Sequence, residues 1–263
     1  AYDIMTERYE IASILQRELV RDADVFGELV PGTIEAPGIS AKSVHHLMKL
    51  VAGVPIRRPV WFFDIHEEGE GLSDVGTHVV DLVQWTAFPE QHIDYRTEIR
   101  LLEAKRWPTL VSKVDFQRVT GAAEFPESVS EHVKDSRLEY YCNNSVHYTL
   151  RSVHVRLDIQ WNWEAPEGSG DIYEASFRGT KARVEIRQGK EENYHPELYV
   201  VPNNASEKAE VFAALGKKTR ALQPAYPGVG VEGPNHQARI LIPDRYRVGH
   251  EAHFAQVTNQ FFE

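Results

Sequence analysis

Val153-His-Val-Arg-Leu-Asp-Ile-Gln-Trp-Asn-Trp-Glu164 alternates apolar and polar residues without a break. Val153, Val155, Leu157, Ile159, Trp161 and Trp163 point one way, and His154, Arg156, Asp158, Gln160, Asn162 and Glu164 the other. Period-2 patterning of this length predicts a long antiparallel strand with one covered and one polar face. Its neighbours read the same way. Leu138–Leu150 can pair with it through a turn near Arg151-Ser152. Residues 172–177 and 182–186 flank Arg178-Gly179-Thr180-Lys181, a hairpin turn, and 198–201 is a further strand.

Outward from this core the patterns turn helical. Thr6 is a candidate N-cap, followed by Glu7 and Glu10 and a stripe of Ile11, Ile14, Leu15 and Leu19, with Gly27 as terminator. Residues 43–51 read as a second helix, and 60–63 (Val-Trp-Phe-Phe) as a β-type run. Ser73–Trp85 is a short helix with Ser73 as N-cap. Residues 93–104 suit a strand, and 108–134 read as polar and irregular with helical turns near 112–119 and 126–133. Residues 203–235 are loop-rich, and 250–262 close the chain as a helix. The sum is α+β: a large, predominantly antiparallel, open-faced sheet with helices packed on one face.

Composition sets the limits. The 263 residues are 42% hydrophobic and 26% charged, an ordinary globular mix. Lys plus Arg is 29 against 39 Asp plus Glu, a net charge of −10 that argues against nucleic acid or an anionic membrane as partner. No apolar run approaches the roughly 18 residues of a membrane span. One cysteine, Cys142, leaves no intrachain disulfide or multi-cysteine metal site, and its strand-like surroundings suit a buried structural thiol. The chain opens Ala1-Tyr2-Asp3 without an initiator Met. It is therefore expected to be a piece of a longer protein, and its localisation stays open.

Gly228-Val-Gly-Val-Glu-Gly233 spells G-x-G-x-x-G. A dinucleotide fingerprint needs a strand before it and a helix after it. Pro224 and Pro227 precede this one, and Pro234 and a strand-like 240–242 follow. A surface loop is expected, and no cofactor-binding residues are assigned to this chain.

The chemically informative stretch is Gly71-Leu-Ser-Asp74-Val-Gly76-Thr-His78-Val-Val-Asp81. On a helix, Asp74, His78 and Asp81 share one face at i, i+4, i+7, while Val75, Val79, Leu82 and Thr86 lie on a neighbouring face. Gly76 is expected to leave the first turn bare for a ligand. An imidazole one turn from a carboxylate can accept or return a proton near neutral pH. A capping Asp beside an ordinary His would leave the same spacing. Asp74 and His78 could also offer two metal ligands, but no third has convincing spacing, so no metal site is assigned.

At this point the sequence resembles the C-terminal part of the glucose–fructose oxidoreductase/inositol dehydrogenase (Gfo/Idh/MocA) family. The resemblance rests on Tyr2-Asp-Ile-Met-Thr-Glu-Arg8, Arg57-Arg58-Pro-Val-Trp61-Phe-Phe-Asp64, the Asp74-x-Gly76-x-His78-x-x-Asp81 set and Phe177-Arg-Gly179-Thr180. It implies a dihydrodipicolinate reductase-like sheet. Residues 1–30 would be a lead-in helix from an N-terminal Rossmann domain that is absent here, and 31–263 a substrate and oligomerisation domain. It implies hydride transfer between NAD or NADP, bound mainly by that absent domain, and a secondary alcohol of a sugar or polyol. His78 would be the general acid/base, with Asp74 orienting the hydroxyl or the ring. NAD-dependent glycoside hydrolysis and a non-catalytic carbohydrate-binding or assembly module are the alternatives. The polar sheet face could be solvated, or could carry a homo-oligomer contact.

Further candidates come from position along the chain. Arg58 and Trp61 precede the motif and could line a sugar pocket, Asp81 could brace the helix or contact substrate indirectly, and His195, with Tyr194, could form a loop over the site. Of His45 and His46, adjacent on the helix expected over 43–51, one at most reaches the site. His250 and His253 are expected to be solvated or at an interface.

Overall fold

The computed structural model describes residues 5–51, 53–233 and 235–262; Tyr2 and Asp3, which open the family-like stretch, lie outside them. The strands are β1 (Ile39–Met48), β2 (Leu50–Val51), β3 (Val54–Pro55), β4 (Ile99–Ser112), β5 (Val133–Lys134) and β6 (Arg137–Leu150). After these come β7 (Val153–Glu164), β8 (Ile172–Arg178), β9 (Ala182–Gln188), β10 (Glu197–Pro202), β11 (Gly230–Glu232) and β12 (Ala238–Leu241). The helices are α1 (Ile11–Val20), α2 (Val75–Ala87), α3 (Tyr95–Glu98), α4 (Lys113–Thr120), α5 (Lys208–Leu222) and α6 (His250–Phe262).

Among the described residues, ten strands form one sheet in the order β11-β12-β10-β9-β8-β1-β7-β6-β4, with β5 beside β6. Its pairs are antiparallel except that β1 runs parallel to β7. Strand β7 keeps the parity its sequence predicts. Val155, Leu157 and Ile159 are fully buried, while Arg156 and Asn162 are exposed. Register carries that face across the sheet: Ile39, Ala41, Ser43 and His45 stand opposite Val155, Leu157, Ile159 and Trp161. On the other face polar groups pair among themselves, as in Arg156–Asp158 and Arg183–Glu185–Arg187.

Helices α1 and α2 cover the apolar face. In α1, Ile11, Leu15 and Leu19 are buried, and Gln16 Nε2 donates to the carbonyls of Ala175 (3.2 Å) and Val184 (3.1 Å), tying the helix across β8 and β9. Thr6 does not cap it. A separate 3-10 turn occupies Thr6–Tyr9, and the Glu10 carboxylate accepts from Ala12 N–H instead. The helix stops at Val20, before Gly27, because the Asp22 carboxylate captures the amides of Asp24 and Val25 and turns the chain. In α2, Val79, Leu82, Val83 and Thr86 are buried.

Four further expectations fail for identifiable reasons. Residues 43–48 belong to a strand, not a helix. As a central strand, β1 has Val44, His46 and Met48 buried as well as the covered-face residues, which erases the alternation. Val60–Phe63 is a 3-10 turn, since consecutive Phe62 and Phe63 are both buried against Tyr140, Trp161 and Phe116. A strand cannot send adjacent side chains to one face. Strand β4 continues through Pro108 because it lies at the sheet edge, with register shifts at Leu101/Glu103 and Trp107/Thr109. Within 203–235, α5 buries Val211, Leu215, Thr219 and Leu222, a helical stripe hidden among Asn, Gly and Pro.

The parity has a measurable consequence. Leu157→Ala should lower unfolding free energy by about 2–5 kcal/mol in urea titrations. Asn162→Ala, on the same strand, should change it by no more than about 0.5 kcal/mol. Equal losses would contradict the two-faced sheet.

Candidate active site

The loop before α2 is clamped to the sheet. A Cβ at Gly71 would stand 2.1 Å from the Cys142 carbonyl oxygen, so glycine alone permits this approach. Asn144 of β6 accepts from Leu72 N–H (2.9 Å) and donates from Nδ2 to Glu70 (3.1 Å); Glu70 in turn pairs with Arg106 of β4. Helix α2 therefore starts above the covered face. Asp74 occupies the N-cap position but makes no side-chain cap hydrogen bond, so the capping account of its spacing does not hold. Gly76 is buried and leaves room for Leu72, 2.8 Å from where its Cβ would be, rather than for a ligand.

Beneath α2 lies a cavity of about 580 Å³. Asp74 and His78 line it from the helix, and Arg58 and Phe62 from the preceding turn. Arg58 donates to the carbonyls of Leu47 (2.8 Å) and His46 (3.1 Å), and its guanidinium lies 4.2 Å from the Phe62 ring centre and 5.0 Å from that of Trp161. Burial raises the Asp74 pKa, opposed by the charges of His45 and Arg58.

The sheet supplies the facing wall. His45 Nε2 lies 2.6 Å from Ser43 Oγ and its Nδ1 3.1 Å from Asp171 Oδ2, while Lys49 Nζ donates to the same oxygen at 2.5 Å. Burial alone would raise the Asp171 pKa, but His45 and Lys49 outweigh it and hold the carboxyl well below its ordinary range. This line of hydroxyl, imidazole and carboxylate can orient a ring and pass a proton. His46, with Nδ1 3.6 Å from Asp171 Oδ1, is buried behind it, and desolvation lowers its pKa.

The chain's first and last helical segments close the site. Glu7, Glu10 and Ser13 line it, and burial, reinforced by Glu10, pushes the Glu7 carboxyl up to about 7. His253 also lines it. Of the two expected positions, solvated or at an interface, His253 does not take the first: it is 2% exposed, with Nε2 4.0 Å from the Glu10 carboxylate.

The structure thus brings Asp74, His78 and Arg58 together and sets three other candidates apart. Trp61 is 55% exposed and outside the cavity lining. Asp81 faces Arg8, which donates to it from Nε at 2.7 Å, and does not line the cavity. His195 is exposed in the turn before β10, outside the lining, although Pro196 next to it takes part. Ser43, Lys49, Asp171, Glu7 and Glu10 were not among the sequence candidates. A strand reading of 39–48 would have placed Ser43 and His45 on one face. Cys142 is buried and its thiol is pushed up to about 12, as suits a structural residue.

Glu7 makes the site pH-sensitive. Its folded pKa of about 7 exceeds the ordinary 4.5, so the stability conferred by its bound proton is full below about pH 4.5 and fades as pH rises through about 7. Glu7→Gln should therefore raise the melting temperature at pH 8, by an amount worth about 1–3 kcal/mol, and leave it unchanged at pH 4. Equal shifts at both pH values would refute the assignment.

Comparison with known proteins places nearly the whole chain. The family model described as "Putative oxidoreductase C terminal domain" matches residues 15–263. No curated protein matches. Among solved structures, a "putative oxidoreductase" from Parabacteroides merdae ATCC 43184 is 45% identical, with a TM-score of 0.95, and the match covers 99% of this chain and 60% of that one. The chain thus spans about three fifths of that relative's length. A "putative oxidoreductase" from Thermotoga maritima is 16% identical with a TM-score of 0.46, covering 77% of this chain and 46% of that one. A levoglucosan dehydrogenase in complex with NADH and levoglucosan is 13% identical with a TM-score of 0.40, covering 77% and 43%. Those two are too distant to inform the site. The family match and the Parabacteroides structure agree along nearly the full length: the chain belongs to the oxidoreductase C-terminal domain family of the Gfo/Idh/MocA type.

Proposed function

We propose that this chain is the substrate-binding and catalytic domain of an NAD(P)-dependent oxidoreductase acting on a secondary alcohol of a sugar or polyol. The observation that carries the reading is the joint lining of one cavity by Asp74, His78 and Arg58, all three flagged by the sequence. At about 580 Å³ the cavity falls within the range of small-molecule sites.

The residues here fit a substrate better than a dinucleotide. Gly228–Gly233 runs from a turn into β11, and strand β12, not a helix, is the next element, so this loop offers no pyrophosphate cradle. We assign the cofactor's grip mainly to a preceding Rossmann domain. A bound nicotinamide supplies the hydride acceptor. His78 takes the proton from the reacting hydroxyl. The desolvated Asp74 carboxyl accepts a hydrogen bond from that hydroxyl or its neighbour, a bond strengthened by exclusion of water. Arg58, held by two carbonyls and two rings, donates to substrate oxygens without moving.

In the longer protein carrying this chain, His78→Ala should lower kcat by about 10²–10⁴, the usual span for a general acid/base, while leaving NADH affinity unchanged in fluorescence titration. Undiminished turnover would overturn the catalytic role and favour a carbohydrate-binding module.

A further inference from the structure

We propose that His66, Glu131 and His132 form a site for one zinc-like divalent cation, outside the cavity. His66 lies in the turn after the 60–63 3-10 segment, and Glu131 and His132 end a second 3-10 segment, Glu127–His132. One ligand atom from each residue falls within 4.8 Å of the other two. His66 Nε2 is 3.2 Å from Glu131 Oε1, and His132 Nε2 is 3.9 Å from it. Two ligands on one tetrahedral zinc, each at about 2.0–2.2 Å from the metal, stand roughly 3.3–3.5 Å apart. The three groups therefore need only a small closing movement. His66, with its side chain 69% exposed, is free to make it.

A second observation comes from His132. Its Nε2 is buried and has no hydrogen-bond partner among the described residues. A buried ring nitrogen in that condition is costly unless something else is bound there, and a cation supplies the missing contact. The ring is packed against Tyr141, centres 5.9 Å apart, and lies nearly parallel to His66 at 6.4 Å.

The turn that carries His66 is itself fixed. Asp64, 6% exposed, accepts from His66 N–H at 2.9 Å and holds the first ligand's backbone in place. Val129, fully buried, anchors the segment that carries the other two ligands to the core. Two imidazoles and a single carboxylate favour zinc and its neighbours over calcium or magnesium, which take six or more oxygens. None of the three residues lines the cavity, so the cation would clamp the turn that follows Phe62 rather than touch substrate.

The test is competitive titration of the untagged chain with zinc against a chromogenic chelator, with native mass spectrometry for stoichiometry. One equivalent should bind with micromolar affinity. His132→Ala and Glu131→Gln should each weaken it by about 10–100-fold or more, since even outer-sphere losses have that effect. The chain has 12 histidines, so His195→Ala, an exposed imidazole elsewhere, serves as control and should leave affinity unchanged. Circular dichroism checks that the variants remain folded, and Glu131→Gln alters an exposed group that folding does not need. Absence of stoichiometric binding, wild-type affinity in His132→Ala, or an equal loss in His195→Ala would overturn the proposal.

Discussion

The site depends on how closely the loop before α2 approaches the sheet. Gly71 lies directly over the Cys142 carbonyl, and Asn144 holds both neighbours of that glycine through Leu72 N–H and Glu70. A methyl group at position 71 would collide with backbone, which cannot yield as a flexible side chain can. At Gly76 the nearest atom is the flexible end of Leu72, which can move aside, so the firm packing requirement is at Gly71. That approach fixes the height and start of α2, and so the position of the two polar residues that face the cavity.

The same sheet explains which parts of the fold the sequence made legible. Strand β7 has one covered and one polar face, so its alternation is complete and readable. The 172–178 and 182–188 hairpin has the same property. Strand β1 lies between β7 and β8 with residues of both faces buried, and a run without alternation looks helical when it contains Leu, Met and Lys. Pro108 reads as a breaker in any one-dimensional scan. It is tolerated because β4 is an edge strand with an irregular register at that position. What the pattern could not supply was each strand's place in the sheet.

The candidate site divides along the same line. Asp74 and His78 were legible because one helix carries both at i, i+4. Arg58 was accessible because it precedes the motif by a short segment. Asp171, His45 and Glu7 come from three distant segments and meet only through the β1–β8 pairing and the packing of the first helical turns under α2. His253 arrives from the other end of the chain. Glu7 illustrates the ambiguity best. An acidic residue near a helix start reads as a favourable dipole interaction, yet here burial, not the helix, governs its chemistry.

These environments also separate the carboxyls by proton affinity. Asp171 on the sheet wall is held ionised by His45 and Lys49 despite its burial. Asp74 on the helix wall and Glu7 at the cavity's other side are pushed upward by desolvation. Divergent proton affinities within one enclosure are what separate a fixed charge from an exchangeable proton. The walls are coupled as well, because the field of His45 reaches Asp74 while its ring contacts Asp171. The carboxyls on the two walls therefore belong to one enclosure, with an ionised Asp171 facing the desolvated Asp74, and not to an isolated pair on α2.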